Sequence, residues 1–218
     1  FNHLNKLWRE LYNKQKLFIL YPPCSISIYK EAAKNENRQN IIVSFAQFRP
    51  EKRQEVQIKI LKELRDRLSK YGINDLELHI IGGVRNKSDQ EILDKLVKYA
   101  QLLGVQDYVK FLPNGKTSEI LEEFAQAKIG IHTMKYEHFG ITLIEMMAAG
   151  LIIVTHNSAG AKDDILVDDE ETSYKPGFLV ETDEEYVNQI EEILVKYNEI
   201  RNQIVNSSTK RAEKFSDD

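Results

Sequence analysis

Two glutamates, Glu137 and Glu145, have the residue type and the spacing that chemistry on a ligand would need. The pattern of residues 137–157 (EHFGITLIEMMAAGLIIVTHN) predicts a loop, a helix that begins near Gly140, and then a buried strand. Free N–H groups at such a helix start attract phosphate, and carboxylates accept hydrogen bonds from diols. The pattern therefore fits a nucleotide-sugar, although glutamates near a helix start also simply complement the helix dipole.

A basic cluster, residues 47–53 (QFRPEKR), directly follows the first predicted strand of the main repeat. Ligands of parallel α/β sheets bind at the carboxyl ends of the strands. Arg49 and Lys52 are the residue types that usually contact phosphate oxygens, so the cluster is suited to a diphosphate. An exposed basic turn would show the same composition, and the cluster alone leaves both possibilities open.

Three further strand ends carry residues that suit the same ligand. Gly82 and Gly83 follow one strand and would let the backbone approach a ligand closely. Leu112 and Pro113 end the next strand, in a turn whose backbone could contact a purine edge, and residues 156–160 follow another. Each could be an ordinary turn. Because these segments converge on one edge of one predicted sheet, we expect a shared site there.

Short apolar runs alternate with stretches of helical periodicity along most of the chain. This alternation predicts a Rossmann-like, doubly wound α/β fold with a parallel sheet. The predicted strands cover residues 41–45, 76–81, 108–112, 128–132, 151–155 and 177–180, and the predicted helices cover 56–70, 90–103, 118–126 and 141–149.

The patterns divide the chain into three parts. Residues 1–37 are expected to form a connector with an amphipathic helix over 1–16 and an extended segment over 17–21, residues 38–182 the nucleotide-sugar-binding domain, and residues 183–218 a helical tail broken near Asn198. The lysine- and asparagine-rich segment 30–40 is predicted to be an exposed loop. His79 is predicted to be a packed core residue, and His132, His138 and His156 lack the spacing of metal ligands.

The composition excludes several classes of protein. The 218 residues are 42% hydrophobic and carry a net charge of −4, so a core is available and a polyanionic partner is not indicated. A single cysteine excludes an internal disulfide framework and fits a reducing compartment. No apolar run is long enough to span a bilayer. The chain begins without methionine, and we expect it to be a piece of a longer protein.

Several blocks of the sequence resemble a known superfamily. EHFGITLIEMMAAGLIIVTHNSAG, SFAQFRPEK, VKFLPN, LYPPC and IHTMKYEHFGI are similar to the signatures of the retaining GT-B glycosyltransferases of the glycogen-synthase-like superfamily. Within it they most resemble the GDP-mannose-dependent α-1,2-mannosyltransferases that extend the dolichol-linked oligosaccharide precursor of N-glycans. The resemblance covers residues 1–182.

The resemblance implies a role for each matching residue. Glu137 is expected to contact the transferred sugar, Glu145 to hold the nucleotide ribose, and Lys52 to bind phosphate. Gln47 stands where the superfamily usually has an arginine, and Arg49 is expected to supply that charge. The remaining donor-binding residues implied are His138, Phe139, Gly140, Ile141, Thr142 and Leu143.

The resemblance also implies the setting of the chain. It corresponds to the donor-binding, C-terminal half of a GT-B enzyme, inactive alone, whose N-terminal domain holds the lipid-linked oligosaccharide acceptor. The donor is expected to be GDP-mannose, without a cofactor or a metal. The whole protein is expected at the cytosolic face of the endoplasmic reticulum membrane, with this piece itself soluble. The alternatives are a related transferase that uses UDP-glucose or another nucleotide-sugar, and a non-catalytic nucleotide-binding module.

Overall fold

A computed structural model describes residues 20–167 and 174–216 of the chain. The helix predicted over 1–16 and most of the extended segment 17–21 lie outside these residues. No helix within the described ranges combines the length and the apolar character that crossing a bilayer requires. The strands are β1 (Gln39–Phe45), β2 (Glu77–Gly82), β3 (Val109–Pro113), β4 (Ala127–His132), β5 (Ile152–His156) and β6 (Phe178–Val180), and the helices are α1 (Lys30–Ala33), α2 (Gln54–Leu68), α3 (Lys87–Leu102), α4 (Thr117–Gln126), α5 (Ile141–Ala148), α6 (Asp183–Val195) and α7 (Tyr197–Glu213).

The six strands form one parallel sheet in the order β3-β2-β1-β4-β5-β6. Ile42 of β1 lies opposite Leu78 of β2 on one side and Ile129 of β4 on the other. The strand order therefore reverses between β1 and β4, and such a reversal leaves a crevice at the carboxyl ends of the strands. The predicted doubly wound fold is confirmed, and each predicted strand agrees with the observed one to within two residues.

Helices cover both faces of the sheet, which is why its strands are apolar on both sides. On one face α2, α3 and α6 pack through Leu61, Leu93 and Ile190. On the other face α4 and α5 pack through Phe124 and Leu143. Each side of the sheet therefore has its own cluster of buried side chains, which lies between the strands and the covering helices.

The C-terminal helices pack back against the domain. The helical region is interrupted at Lys196, two residues before the predicted break. Tyr186 of α6 is 1% exposed, and its hydroxyl donates a hydrogen bond of 2.7 Å to the carbonyl of His132 at the end of β4. Ala212 of α7 is fully buried among the residues of the α5 face. Helix α6 is thereby tied to the carboxyl edge of the sheet.

The prediction that residues 30–40 form an exposed loop is wrong, because this segment contains helix α1, the start of β1 and the buried Arg38. The Arg38 guanidinium donates hydrogen bonds to the carbonyls of Phe124 and Ala127 at the end of α4, to Ala149 at the end of α5, and to Ala32 in α1. Helix C-termini present unpaired carbonyls and a partial negative charge, so a buried cation satisfies both. Burial lowers the pKa of Arg38 to about 10, which leaves it charged at neutral pH.

His79 is buried on β2, as predicted, but its ring is paired with carboxylates rather than packed among apolar groups. Its two ring nitrogens face Glu123 of α4 and Glu77 of β2, and Glu123 also pairs with Lys110 of β3. Burial opposes protonation of the ring, but the hydrogen bonds to both glutamates outweigh it and raise the pKa of His79. This network joins α4 to β2 and β3 and lies apart from the carboxyl edge of the sheet.

Replacement of Arg38 by methionine should destabilise the domain strongly. Arg38→Met fills the volume but leaves several buried carbonyls without donors, which we expect to lower the free energy of unfolding by about 3 kcal/mol or more. Urea denaturation followed by circular dichroism measures the loss. Arg67→Met is the matched control, since Arg67 makes partly exposed ion pairs with Glu63 and Glu191 and should cost less than about 1 kcal/mol. Equal losses in the two variants would contradict the role given to Arg38.

Candidate functional site

A cavity of about 390 Å³ lies at the carboxyl edge of the sheet, between the loops that follow β1 and β4. This is the crevice that the reversal of strand order creates. Eight residues predicted for the site line it: Arg49, Lys52, Glu137, His138, Phe139, Gly140, Ile141 and Thr142. The rest of the lining consists of Pro22, Ala46, Gln47 and Glu51.

Glu137 carries the strongest electrostatic interactions of the cavity. Its Oε2 lies 2.5 Å from Lys52 Nζ and 3.1 Å from His132 Nε2. The hydrogen bond from His132 and the contact with Lys52 outweigh burial and lower the pKa of Glu137 to about 2. The group is therefore an ionised carboxylate at any physiological pH.

His132, the last residue of β4, was set aside in the sequence because it lacks the spacing of a metal ligand. The structure places it against Glu137, with only 1% of its surface exposed. Burial lowers the pKa of His132, so the ring is neutral. Because the carboxylate can only accept, the tautomer that fits carries its proton on Nε2.

The loop after β1 is held in place by the end of β4. The segment Pro50–Lys52 forms a 3₁₀ turn, and the hydroxyl of Thr133 donates a hydrogen bond of 2.8 Å to the carbonyl of Lys52. Gln57 of α2 in turn donates to the Thr133 hydroxyl at 3.0 Å. Thr133 directly follows His132, so the backbone that carries His132 also fixes Lys52 opposite Glu137.

The start of α5 supplies free backbone donors to the cavity. Gly140 precedes the helix with a φ of +98°, a conformation that favours glycine, and the first N–H groups of a helix have no acceptor within it. Ile141 and Thr142 line the cavity with Gly140. Leu143 differs from the prediction: its N–H donates to the Gly140 carbonyl at 2.9 Å and its side chain is buried, so its amide is not available to a ligand.

Gln47 stands where the superfamily usually has an arginine, and an arginine from another loop contacts it. Arg85, in the loop after β2, donates a hydrogen bond of 2.8 Å from its guanidinium to Gln47 Oε1. Arg49 lines the cavity itself, with its guanidinium 3.7 Å from the Glu51 carboxylate. Arg85 could not be predicted from the sequence, because the adjacency of β1 and β2 in the sheet is what brings it to Gln47.

Four predicted residues at the ends of β2 and β3 lie at the same edge but do not line the cavity: Gly82, Gly83, Leu112 and Pro113. Gly82 was expected to let the backbone approach a ligand, but the structure shows a different reason for a glycine there. A Cβ there would lie 1.9 Å from the Ala46 carbonyl oxygen, so only glycine allows the loop after β1 to pass. A Cβ on Gly83 would meet nothing within 4 Å.

Glu145 is half-buried in the second turn of α5 and is also absent from the cavity lining. Its Oε1 accepts a hydrogen bond of 2.9 Å from the hydroxyl of Tyr29, a residue that is 6% exposed. Burial raises the pKa of Glu145, and the bond from Tyr29 partly offsets this. The two glutamates thus have different partners: Glu137 accepts hydrogen bonds from the nitrogens of Lys52 and His132, and Glu145 accepts one from the hydroxyl of Tyr29.

Backbone strain is concentrated at this edge. Within the described ranges, the non-glycine residues with positive φ are Arg53, Asn114, Tyr136 and Ala159, with φ values of 53°, 54°, 59° and 45°. They follow β1, β3, β4 and β5. Such conformations cost of order 1 kcal/mol each and cluster at functional sites, which supports this edge as the place where a ligand binds.

Comparison with known proteins identifies the family of the chain. The model of the family "Glycosyl transferases group 1" matches residues 26–211. The human protein named GDP-Man:Man(3)GlcNAc(2)-PP-Dol alpha-1,2-mannosyltransferase is 39% identical over 219 aligned residues, which cover 99% of this chain and 44% of the human one. The chain thus spans less than half the length of this relative.

Two solved structures share the fold. HepE from Anabaena in complex with UDP and glucose has a TM-score of 0.72 at 20% identity, covering 92% of this chain and 53% of HepE. The C-terminal domain of a group 1 glycosyl transferase, LpcC from Francisella tularensis, has a TM-score of 0.69 at 19% identity, covering 89% of this chain and 99% of that domain.

Replacement of Glu137 by glutamine should alter the pH dependence of stability. Because folding lowers the pKa of Glu137 from about 4.5 to about 2, its charge stabilises the fold above about pH 4.5, and this contribution disappears as the pH falls through about 2. Glu137→Gln should therefore be less stable than wild type by about 2 kcal/mol at pH 6, with a smaller difference at pH 3. Urea denaturation at both pH values measures this.

Glu51→Gln is the matched control, since Glu51 lines the same cavity but is exposed and only weakly paired with Arg49. We expect its stability to stay within about 0.5 kcal/mol of wild type at both pH values. A difference between Glu137→Gln and wild type that does not change with pH would contradict the assigned pKa.

Proposed function

The chain belongs to the group 1 glycosyltransferases, and on that basis we propose that it binds the nucleotide-sugar donor of such an enzyme. The reaction we propose is transfer of mannose from GDP-mannose to a dolichol-pyrophosphate-linked oligosaccharide, with formation of an α-1,2 linkage. The observation that carries this proposal is the cavity in which Lys52 and the free amides at the start of α5 lie beside the Glu137 carboxylate.

The charges of the cavity suit a sugar diphosphate. Lys52, Arg49 and the amides of Gly140, Ile141 and Thr142 would meet the diphosphate oxygens, which is the use that helix starts and cationic side chains have in many phosphate sites. His138 and Phe139 line the same cavity and would contact the donor. Glu137 would accept hydrogen bonds from hydroxyls of the mannose, and Glu145 would hold the ribose.

The proposed transfer retains the configuration at the sugar carbon. The bond between C1 of mannose and the β-phosphate oxygen breaks, the acceptor hydroxyl forms the new bond on the same face, and its proton passes to the departing phosphate. Negative charge grows on the GDP leaving group, so Lys52, Arg49 and the helix amides stabilise the transition state. This scheme requires no cofactor or metal, because protein groups supply the positive charge.

The choice of donor, acceptor and location rests on the likeness to the human relative, whose name includes GDP-Man and PP-Dol. We propose that the acceptor binds mainly to a further domain of the whole protein, which acts at the cytosolic face of the endoplasmic reticulum membrane. Residues 1–37 and 183–218 would then connect the donor-binding domain, residues 38–182, to that further domain.

A second candidate is a transferase of the same family that uses UDP-glucose, which the fold similarity to HepE with bound UDP and glucose favours. Calorimetric titration of the chain with GDP, UDP and ADP separates the two candidates, because each predicts a different preferred nucleotide. A non-catalytic nucleotide-binding module would bind a nucleotide but support no transfer. Mannose transfer from GDP-mannose to a lipid-linked acceptor, assayed with the full-length protein, tests the proposed reaction directly.

Replacement of Glu145 by alanine should weaken GDP binding by about 2 kcal/mol, or about 30-fold, because the ribose loses a charged acceptor. Calorimetry on the 218-residue chain measures the affinity. The matched control is Glu192→Ala, which removes an exposed glutamate of α6 that pairs with Lys196. An unchanged GDP affinity in Glu145→Ala would defeat the assignment of Glu145 to the ribose.

A further inference from the structure

The two donors that hold Glu137 share one of its oxygens. Both Lys52 Nζ and His132 Nε2 bond to Oε2, at 2.5 Å and 3.1 Å. Among residues 20–167 and 174–216, no group bonds to Oε1. The carboxylate is therefore anchored at one oxygen, and the other oxygen belongs to a side chain that lines the cavity.

The two donors differ in what a ligand would do to them. Lys52 is the cation that a diphosphate would attract, so its bond to Glu137 competes with the ligand. His132 is neutral and almost fully buried, and therefore has no such competitor. The hydrogen bond from His132 also lowers the pKa of Glu137. Only His132 can hold the carboxylate in the same way before and after a donor binds.

The backbone of His132 is fixed from the opposite side of the sheet edge. Its carbonyl accepts a hydrogen bond of 2.7 Å from Tyr186 of α6, whose ring is 1% exposed. The next residue, Thr133, bonds to the carbonyl of Lys52. The imidazole is thus attached to a rigid strand end, and the charged groups that face it are Glu137 and Lys52.

We propose that His132 is a positioning residue for the sugar half of the donor site: it holds Glu137 Oε2 so that Oε1 is presented to hydroxyls of the transferred sugar. The part of this inference that concerns the sugar rests on the proposed function. The part that concerns Glu137 does not, and it is measured without a ligand.

The first test is nuclear magnetic resonance of the 218-residue chain without ligand. The ¹⁵N shifts of the wild-type imidazole should show a neutral His132 with its proton on Nε2 from pH 5 to pH 8; a charged ring or a proton on Nδ1 would overturn the proposal. In His132→Met, ¹³C titration of the side-chain carboxyl should show the pKa of Glu137 raised by about 1. An unchanged pKa would also overturn it.

The second test compares affinities for GDP and GDP-mannose by calorimetry. His132→Met should weaken GDP-mannose binding about tenfold and leave GDP binding within about twofold, because the histidine acts only through the sugar contact. His132→Gln, whose amide can place a neutral donor near the position of Nε2, should recover most of the loss. His79→Met is the control for loss of a buried histidine that does not contact Glu137.

The outcomes separate the two proposals. If wild type binds GDP-mannose but His132→Met loses GDP and GDP-mannose affinity equally, or loses neither, the positioning role is overturned. If wild type binds neither ligand while the Glu137 pKa still rises in His132→Met, the proposed function fails and the hold of His132 on Glu137 is supported. If His132→Met does not fold, the wild-type ¹⁵N measurement and His132→Gln decide, and a Glu137 pKa in His132→Gln close to the wild-type value supports the proposal.

Discussion

The contact between the Arg38 guanidinium and the ends of three helices is the interaction on which the arrangement of the site depends. Arg38 donates to the carbonyls of Phe124, Ala149 and Ala32, which belong to α4, the end of α5 and α1. A cation at the C-terminal end of α5 fixes the direction of that helix, and its N-terminal end is the one that faces the cavity. Arg38 is buried among backbone carbonyls, without a carboxylate partner in the described residues, and these helix ends supply most of its acceptors.

The N-terminal end of α5 carries a partial positive charge, so it attracts anions where the C-terminal end attracts a cation. Helix amides, Lys52 and Arg49 create a positive region, and Glu137 is held within it as a carboxylate. Lys52 forms an ion pair with Glu137, so a diphosphate has to compete with this carboxylate for the lysine. The hydrogen bond from His132 keeps Glu137 in place during that exchange, since a buried neutral ring gains nothing from contact with phosphate.

The fold could be predicted largely from the sequence, because β-branched runs such as 151–155 and glycines after helices are local signals. The positions of Lys52, Glu137 and Gly140 could be predicted because each lies in the segment that follows a strand of the sheet. Partners from distant parts of the chain could not. Tyr29 lies 116 residues from Glu145, and Arg85 lies 38 residues from Gln47. Arg38 was predicted to be exposed because a charged residue in a polar segment gives no sign of the helix ends that bury it.

The four non-glycine residues with positive φ, at 53, 114, 136 and 159, have a consequence for how this domain tolerates mutation. Substitution by glycine would relieve local strain at Tyr136 and Ala159, whereas at Asn114 it would also remove the side-chain hydrogen bonds to the backbone of Val84. Each such substitution would also add backbone freedom to a loop at the ligand edge, next to Lys52 in the case of position 53. The strain at these positions therefore accompanies loops whose backbone has little freedom at the edge where a ligand binds.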